Sequence, residues 1–139
     1  MIKWDEKFSC GIEVFDKQHQ KLFEMIQQLH EEILKHKDNL YDNYDTINSI
    51  IAELKGYTLE HFKEEEEKMR QYGYSELLHH RVEHKKFIDK VQQLTKKDID
   101  VDQIGITIEI VDFIASWIGN HILKTDMKYS EFLRQQGVQ

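Results

Sequence analysis

The sequence predicts an all-α protein: an up-down-up-down antiparallel four-helix bundle with an N-terminal arm and a short C-terminal helix. Three observations carry that prediction. Apolar residues recur at spacings of three and four in four successive blocks, and strict alternation is nowhere sustained. The chain has no proline and only 6 glycines among 139 residues, so little interrupts a helix once it has begun. The polar stretches between blocks are short, which makes antiparallel neighbours the economical packing. A chain of this length buries roughly two-thirds of its unfolded surface. It is read as one domain, residues 1–139, with the arm at 1–15 and the bundle at about 16–125.

The arm carries Trp4, Phe8, Ile12 and Phe15, apolar residues suited to packing on the outside of the bundle, and Gly11 permits a bend there. The first helix starts near Asp16, a plausible N-cap, and presents Leu22, Ile26, Leu29 and Ile33 on one stripe. It fades in the polar stretch His36 to Asn43. The second helix carries Ile47, Ile50, Ile51, Leu54, Thr58, Phe62 and Met69, and ends around Gly73. Ser75 with Glu76 to Leu78 opens the third, which runs through Phe87, Ile88, Val91 and Leu94. The charged segment Lys96 to Asp102 is turn-like. Ile106, Ile110, Val111, Ile114, Trp117 and Ile118 mark the fourth, and Tyr129 to Leu133 the short terminal helix. About 20 residues per helix span roughly 30 Å.

Composition narrows the function classes. Formal charge is −7, from 19 basic and 26 acidic residues, with no basic patch, which argues against nucleic-acid and anionic-membrane surfaces. Apolar residues at 40% and charged residues at 32% describe an ordinary globular chain. The single cysteine, Cys10, excludes an internal disulfide. The start lacks the layout of a signal peptide and no apolar run reaches membrane-spanning length. The expectation is a cytoplasmic protein with no membrane or nucleic-acid partner; its protein partners are not legible.

The informative residues are the polar ones that interrupt the apolar stripes. On the second helix the stripe continues through His61 and Glu65 to Met69; on the third, His80 and His84 follow Leu77. His121 ends the fourth stripe and His19 begins the first. Five histidines and a glutamate therefore point inward from all four helices. His61 with Glu65, and His80 with His84, are i,i+4 pairs that put two ligand heads on one helix face. A lone histidine on such a face is usually a hydrogen-bonded core residue. Six such groups together, with no inward lysine or arginine to neutralise Glu65, are satisfied at once by a metal centre. The remaining polar residues read differently. His79 lies about 100° around the helix from His80 and is exposed. His36 and His30 are too far along the first helix, Glu64 to Glu67 apart from Glu65 form a solvated face, and Cys10 is a small packing residue.

Taken in order, these residues closely resemble the hemerythrin family, in particular its single-domain bacterial members. The resemblance runs almost end to end: Trp4, the pair at 11–12 and DKQHQKLF at 16–23, HFKEEEEKM at 61–69, GY at 73–74 with HRVEHKKF at 80–87, and WIGNHILKTD at 117–126. It implies a centre of two non-haem iron ions bridged by an oxo or hydroxo group. His80, His84 and His121 would hold one iron, His19 and His61 the other, and Glu65 and Asp126 would bridge both. Two six-coordinate irons offer twelve places. Five imidazoles, two bridging carboxylates and the oxygen bridge fill eleven, which leaves one place on the two-histidine iron for dioxygen.

Asp126 is the ligand that helix geometry explains least well. It follows His121 by five residues, about 140° around an ideal α-helix. Bridging then requires the last turn to loosen or to form a π-type bulge. Leu22, Phe62, Trp117, Ile118 and Ile122 flank the ligands and are the candidate lining of a dry ligand pocket. Ile118 stands where relatives commonly carry leucine, and Gly119 beside it weakens the helix or opens space; Ser75, where relatives often carry proline, touches only a turn. The resemblance implies reversible dioxygen binding for storage, transport or sensing, and not an enzyme. The alternative is a di-iron enzyme acting on peroxide, nitric oxide or another small oxidisable substrate. No inward acid or base beyond the ligands and no substrate pocket is legible to favour it.

Overall fold

A computed structural model describes residues 3–35, 44–95 and 103–139, and every regular element among them is helical. A 3-10 turn at Glu6–Phe8 leads into α1 (Glu13–Lys35), followed by α2 (Tyr44–Tyr72), α3 (Leu77–Thr95) and α4 (Gln103–His121). A five-residue π segment (Ile122–Asp126) then joins α4 to α5 (Met127–Gln135). The connections read at His36 to Asn43 and Lys96 to Asp102, His36 itself and the side chain of Ile106 lie outside the described residues.

Each long helix packs on its neighbours in sequence, and α4 closes the square against α1. The alternation of direction follows from which ends meet. His19 near the start of α1 faces His61 and Glu65 in the later half of α2, and Glu65 faces His80 near the start of α3. Gly73 ends α2 in the left-handed conformation, at φ 72°, and the Tyr74 N–H reaches back to the Met69 carbonyl at 2.9 Å. That C-cap lets four residues reverse the chain into α3.

The apolar stripes make a core in two pieces. Leu22, Ile26, Leu29, Ile33, Leu54, Phe87, Val91, Leu94 and Ile114, all buried, belong to the larger piece. Cys10, Ile12, Phe15, Met69, Tyr129 and Leu133 form the smaller one. Between the two sits a layer of polar side chains, which is why they do not merge.

Three expectations about the ends need correction. α1 begins at Glu13, so Asp16 lies inside its first turn and is not its N-cap. Its carboxylate instead accepts from the Cys10 N–H at 2.8 Å and the Ser9 hydroxyl at 2.6 Å. The acid therefore pins the arm back onto the helix, and Gly11, at φ 79°, makes the bend. The arm is also more than an outer cover: Phe8, Cys10, Ile12 and Phe15 are all buried. The terminal helix extends beyond Tyr129 to Leu133 at both ends, because the π segment runs directly into it.

Candidate metal centre

The polar layer consists of His19, His61, Glu65, His80, His84, His121 and Asp126, each no more than 7% exposed. Four helices and the π segment deliver them, and the imidazoles whose inner contacts are resolved share one orientation. His84 Nε2 lies 3.2 Å from His121 Nε2, which lies 3.2 Å from His80 Nε2. His19 and His61 also turn Nε2 toward the carboxylates. A ring nitrogen carries either one proton or one lone pair, so His121 Nε2 cannot hydrogen-bond both of its neighbours at once. Two nitrogens held ~2.1 Å from a common ion at right angles would lie about 3.0 Å apart. The observed spacing suits a shared cation.

The carboxylates straddle this arrangement. Asp126 directs Oδ1 to His121 Nε2 at 2.9 Å and His80 Nε2 at 3.2 Å, and Oδ2 to His19 Nε2 at 3.3 Å. Glu65 directs Oε2 to His80 Nε2 at 3.6 Å, and Oε1 to His61 and, at 3.9 Å, to His19. Each acid thus gives one oxygen to the His80 side and the other to the His19 side. None of these four oxygens, nor either nitrogen of His19, is aligned with a hydrogen-bond partner. Six buried polar atoms left in that condition would be costly. A metal ion would supply what hydrogen bonds do not.

The π segment explains how Asp126 arrives. The Met127 N–H donates to the Ile122 carbonyl five residues back, and this wider turn carries residue 126 around to the inner face. Asp126 is 1% exposed there, whereas Leu123 in the same segment is 42% exposed.

Electrostatics bind the layer together even without a cation. Burial disfavours charge on His19 and His80, yet Asp126 and Glu65 outweigh it and raise both to about 9. Conversely, burial pushes Glu65 and Asp126 up, and the surrounding imidazoles overcome it and hold both well below the usual carboxylate range. His84 is lowered by burial, which its hydrogen bond to Glu66 only partly offsets. Loading a metal would therefore displace protons from His19 and His80.

These side chains fall into two groups whose ligand atoms lie within 4.8 Å of one another. One is Glu65 with His80, His84 and His121; the other is His19, His61, Glu65 and Asp126. Glu65 is common to both. A third grouping, Cys10 with Asp16 and His19, is of another kind. Both Asp16 oxygens are engaged by the arm, and burial pushes the Cys10 thiol up to about 12. The thiol is a packing group.

The residues match a family model described as the hemerythrin HHE cation binding domain over positions 10–133. The chain belongs to the hemerythrin family. Among its relatives is a bacteriohemerythrin of Clostridium acetobutylicum, 42% identical over 93% of this chain and 98% of the relative. One from Pseudomonas aeruginosa is 30% identical over 96% of this chain and 82% of its own. A hemerythrin-like protein of Naegleria gruberi is 30% identical over 95% and 93% respectively. Among the described residues no helix is long and apolar enough to cross a membrane.

Around the hemerythrin-type layer, Phe62 stacks on His84 with ring centroids 3.8 Å apart, and Trp117 stacks on His121 at 4.3 Å. Leu22, Ile118 and Ile122 are buried in the larger core piece, and Trp117 is partly exposed. His79 points outward, its side chain 72% exposed. Sequence reasoning passed over Gln18, Glu66 and Glu83. The His61 Nδ1 is 2.5 Å from Gln18 Oε1, and His84 Nδ1 is 3.0 Å from Glu66 Oε2. His121 Nδ1 lies 3.4 Å from Glu83 Oε2. The sequence pattern predicts a solvated face for Glu66, but its other oxygen meets Arg81 Nε at 3.0 Å. The available signal was position: each of the three is adjacent in sequence to one of the inward residues.

Proposed function

We propose that this centre holds two iron ions and binds dioxygen reversibly, for storage, transport or sensing of the gas. The observation that carries the reading is the division of oxygens: Glu65 and Asp126 each offer one to either side of the layer. That is the arrangement two bridged ions require, and one ion would leave two carboxylate oxygens without a partner. When bound in the ferrous state, such a pair supplies two electrons to dioxygen and recovers them on release. His80, His84 and His121 would hold one ion and His19 and His61 the other. The half with fewer imidazoles would leave room for the gas.

The protein's own contribution is exclusion and restraint. Leu22, Ile118 and Ile122 offer no proton and no hydrogen bond beside the ligands, so water gains little by entering. Stacking of Phe62 and Trp117 holds the planes of His84 and His121. Tyr129, fully buried, closes the end near His80 at a centroid separation of 5.1 Å. Burial drives its hydroxyl well above the ordinary tyrosine range, so it does not ionise there.

The test is an oxygen cycle. The protein is loaded with iron, the metal is counted per chain, and the sample is reduced anaerobically. Oxygen is then admitted and swept out while spectra are recorded. Repeated interconversion of a nearly colourless and a coloured form supports the reading. Immediate one-way oxidation, or steady oxygen consumption with a reductant and a defined product, overturns it in favour of an enzyme. His61→Ala, which removes one of two imidazoles from the open half, should abolish the cycle.

A further inference from the structure

The three residues that back the imidazoles follow a rule. Gln18, one position before His19 on α1, meets His61 on α2. Glu66, one position after Glu65 on α2, meets His84 on α3. Glu83, one position before His84 on α3, approaches His121 on α4. The alternation of before and after matches the alternation of helix direction. Each helix thus supplies an inward residue and, beside it, a support for the imidazole of the next helix. Continued to α4, the rule selects the position after His121, which is Ile122. An isoleucine accepts no hydrogen bond. Correspondingly, His19 Nδ1 is buried with no partner.

The supports are unequal in charge. Glu66 hydrogen-bonds His84, the Glu83 carboxylate lies 3.4 Å from His121 without an aligned hydrogen bond, a neutral amide meets His61, and His19 Nδ1 has no partner. A carboxylate accepting from Nδ1–H fixes the ring orientation and makes the opposite nitrogen a stronger donor to a metal. A neutral amide orients the ring but adds no charge. Resting on the two-ion reading, we infer that Glu66 and Glu83 are positioning residues that make the three-imidazole half the tighter metal site. Gln18 and the unsupported His19 leave the half that holds the open place as the weaker one. Filling is then sequential: the first ion enters the His80, His84 and His121 half, the second the His19 and His61 half.

The test uses the metal-free full chain titrated with cobalt(II), followed by calorimetry and by imidazole proton signals. In the unsubstituted protein the first equivalent should shift the signals of His80, His84 and His121, and the second those of His19 and His61. Glu66→Gln and Glu83→Gln keep size and an acceptor but remove the charge. Each should weaken the first step roughly 10–100-fold, the range for outer supports of metal ligands, and leave the second step largely unchanged. Gln18→Leu, which removes the acceptor beside His61 without setting a second carboxylate against Glu64, should weaken the second step and leave the first largely unchanged. Thermal melts of the metal-free variants establish that the bundle remains folded; a variant that fails this is replaced by measuring the order of filling in the unsubstituted chain. Two ions bound with simultaneous filling, or with both steps insensitive to the Glu variants, overturn the inference and leave the two-ion reading intact. A protein that takes up only one ion overturns both.

Discussion

Stripping the metal and raising the pH should destabilise the protein, and the structure gives the size of the effect. Without a cation, Glu65 and Asp126 remain buried beside imidazoles and are neutralised by protons on His19 and His80, whose values are raised to about 9. An unfolded chain releases those protons near 6.5. Between these values the folded state binds more protons than the unfolded one, so stability falls as pH rises. The contribution is complete below about 6.5 and gone once the pH has passed 9. Moving one imidazole from 6.5 to about 9 corresponds to about 3 kcal/mol. The two share the same carboxylates, so together they give about 3 to 6 kcal/mol, a large part of a typical domain stability of about 5–15 kcal/mol. On a chain of this size that is a fall in Tm on the order of 10 °C or more. The two carboxylates, held low, set the other edge: their contribution is present above about 4 and is lost in acid. The assay is thermal denaturation followed by circular dichroism in chelator, from about pH 6 to 9.5, repeated with metal restored. Metal-bound imidazoles carry no titrating proton, so the slope should vanish on loading. A metal-free Tm that is flat or rises across this range refutes the electrostatic account.

Other substitutions probe separate parts of the account. Asp126→Ala removes an oxygen from each half, so iron content should fall from about two to about one per chain, measured by elemental analysis. Gly11→Ala puts a side chain at φ 79° with its Cβ 2.9 Å from Arg134 Cδ; left-handed strain alone costs about 1–2 kcal/mol, which urea unfolding would detect. Tyr129→Phe removes a buried hydroxyl that has no hydrogen-bond partner, so stability should change by less than about 1 kcal/mol, again by urea unfolding. His79→Ala, at an exposed position, should leave the metal count and spectrum unaltered and move stability within about 0.5 kcal/mol.

Much of this was legible in the chain because bundle helices and metal ligands both obey the same periodicity. His61 and Glu65, or His80 and His84, could be placed on one face by spacing alone. The burial of Leu22, Leu54 and Phe87 follows from the same stripes. Asp126 lay at the limit of that method, since five residues do not close an α-helical turn; only the resemblance suggested the wider turn that Ile122–Asp126 adopts. Asp16 has the chemistry of a cap and so predicts too late a start for α1, and nothing local reveals that its partner is the arm and not its own helix. Gln18, Glu66 and Glu83 were invisible for a related reason. Each serves an imidazole on a different helix, and contacts across helices depend on rotation and stagger that one-dimensional spacing does not encode.

The most direct measurement is anomalous diffraction at the iron edge from crystals of the iron-loaded protein. Two peaks roughly 3.5–4 Å apart, one beside His80, His84 and His121, the other beside His19 and His61, with Glu65 and Asp126 spanning them, are the predicted result. A single peak within the layer, or two that do not share the carboxylates, would contradict the account.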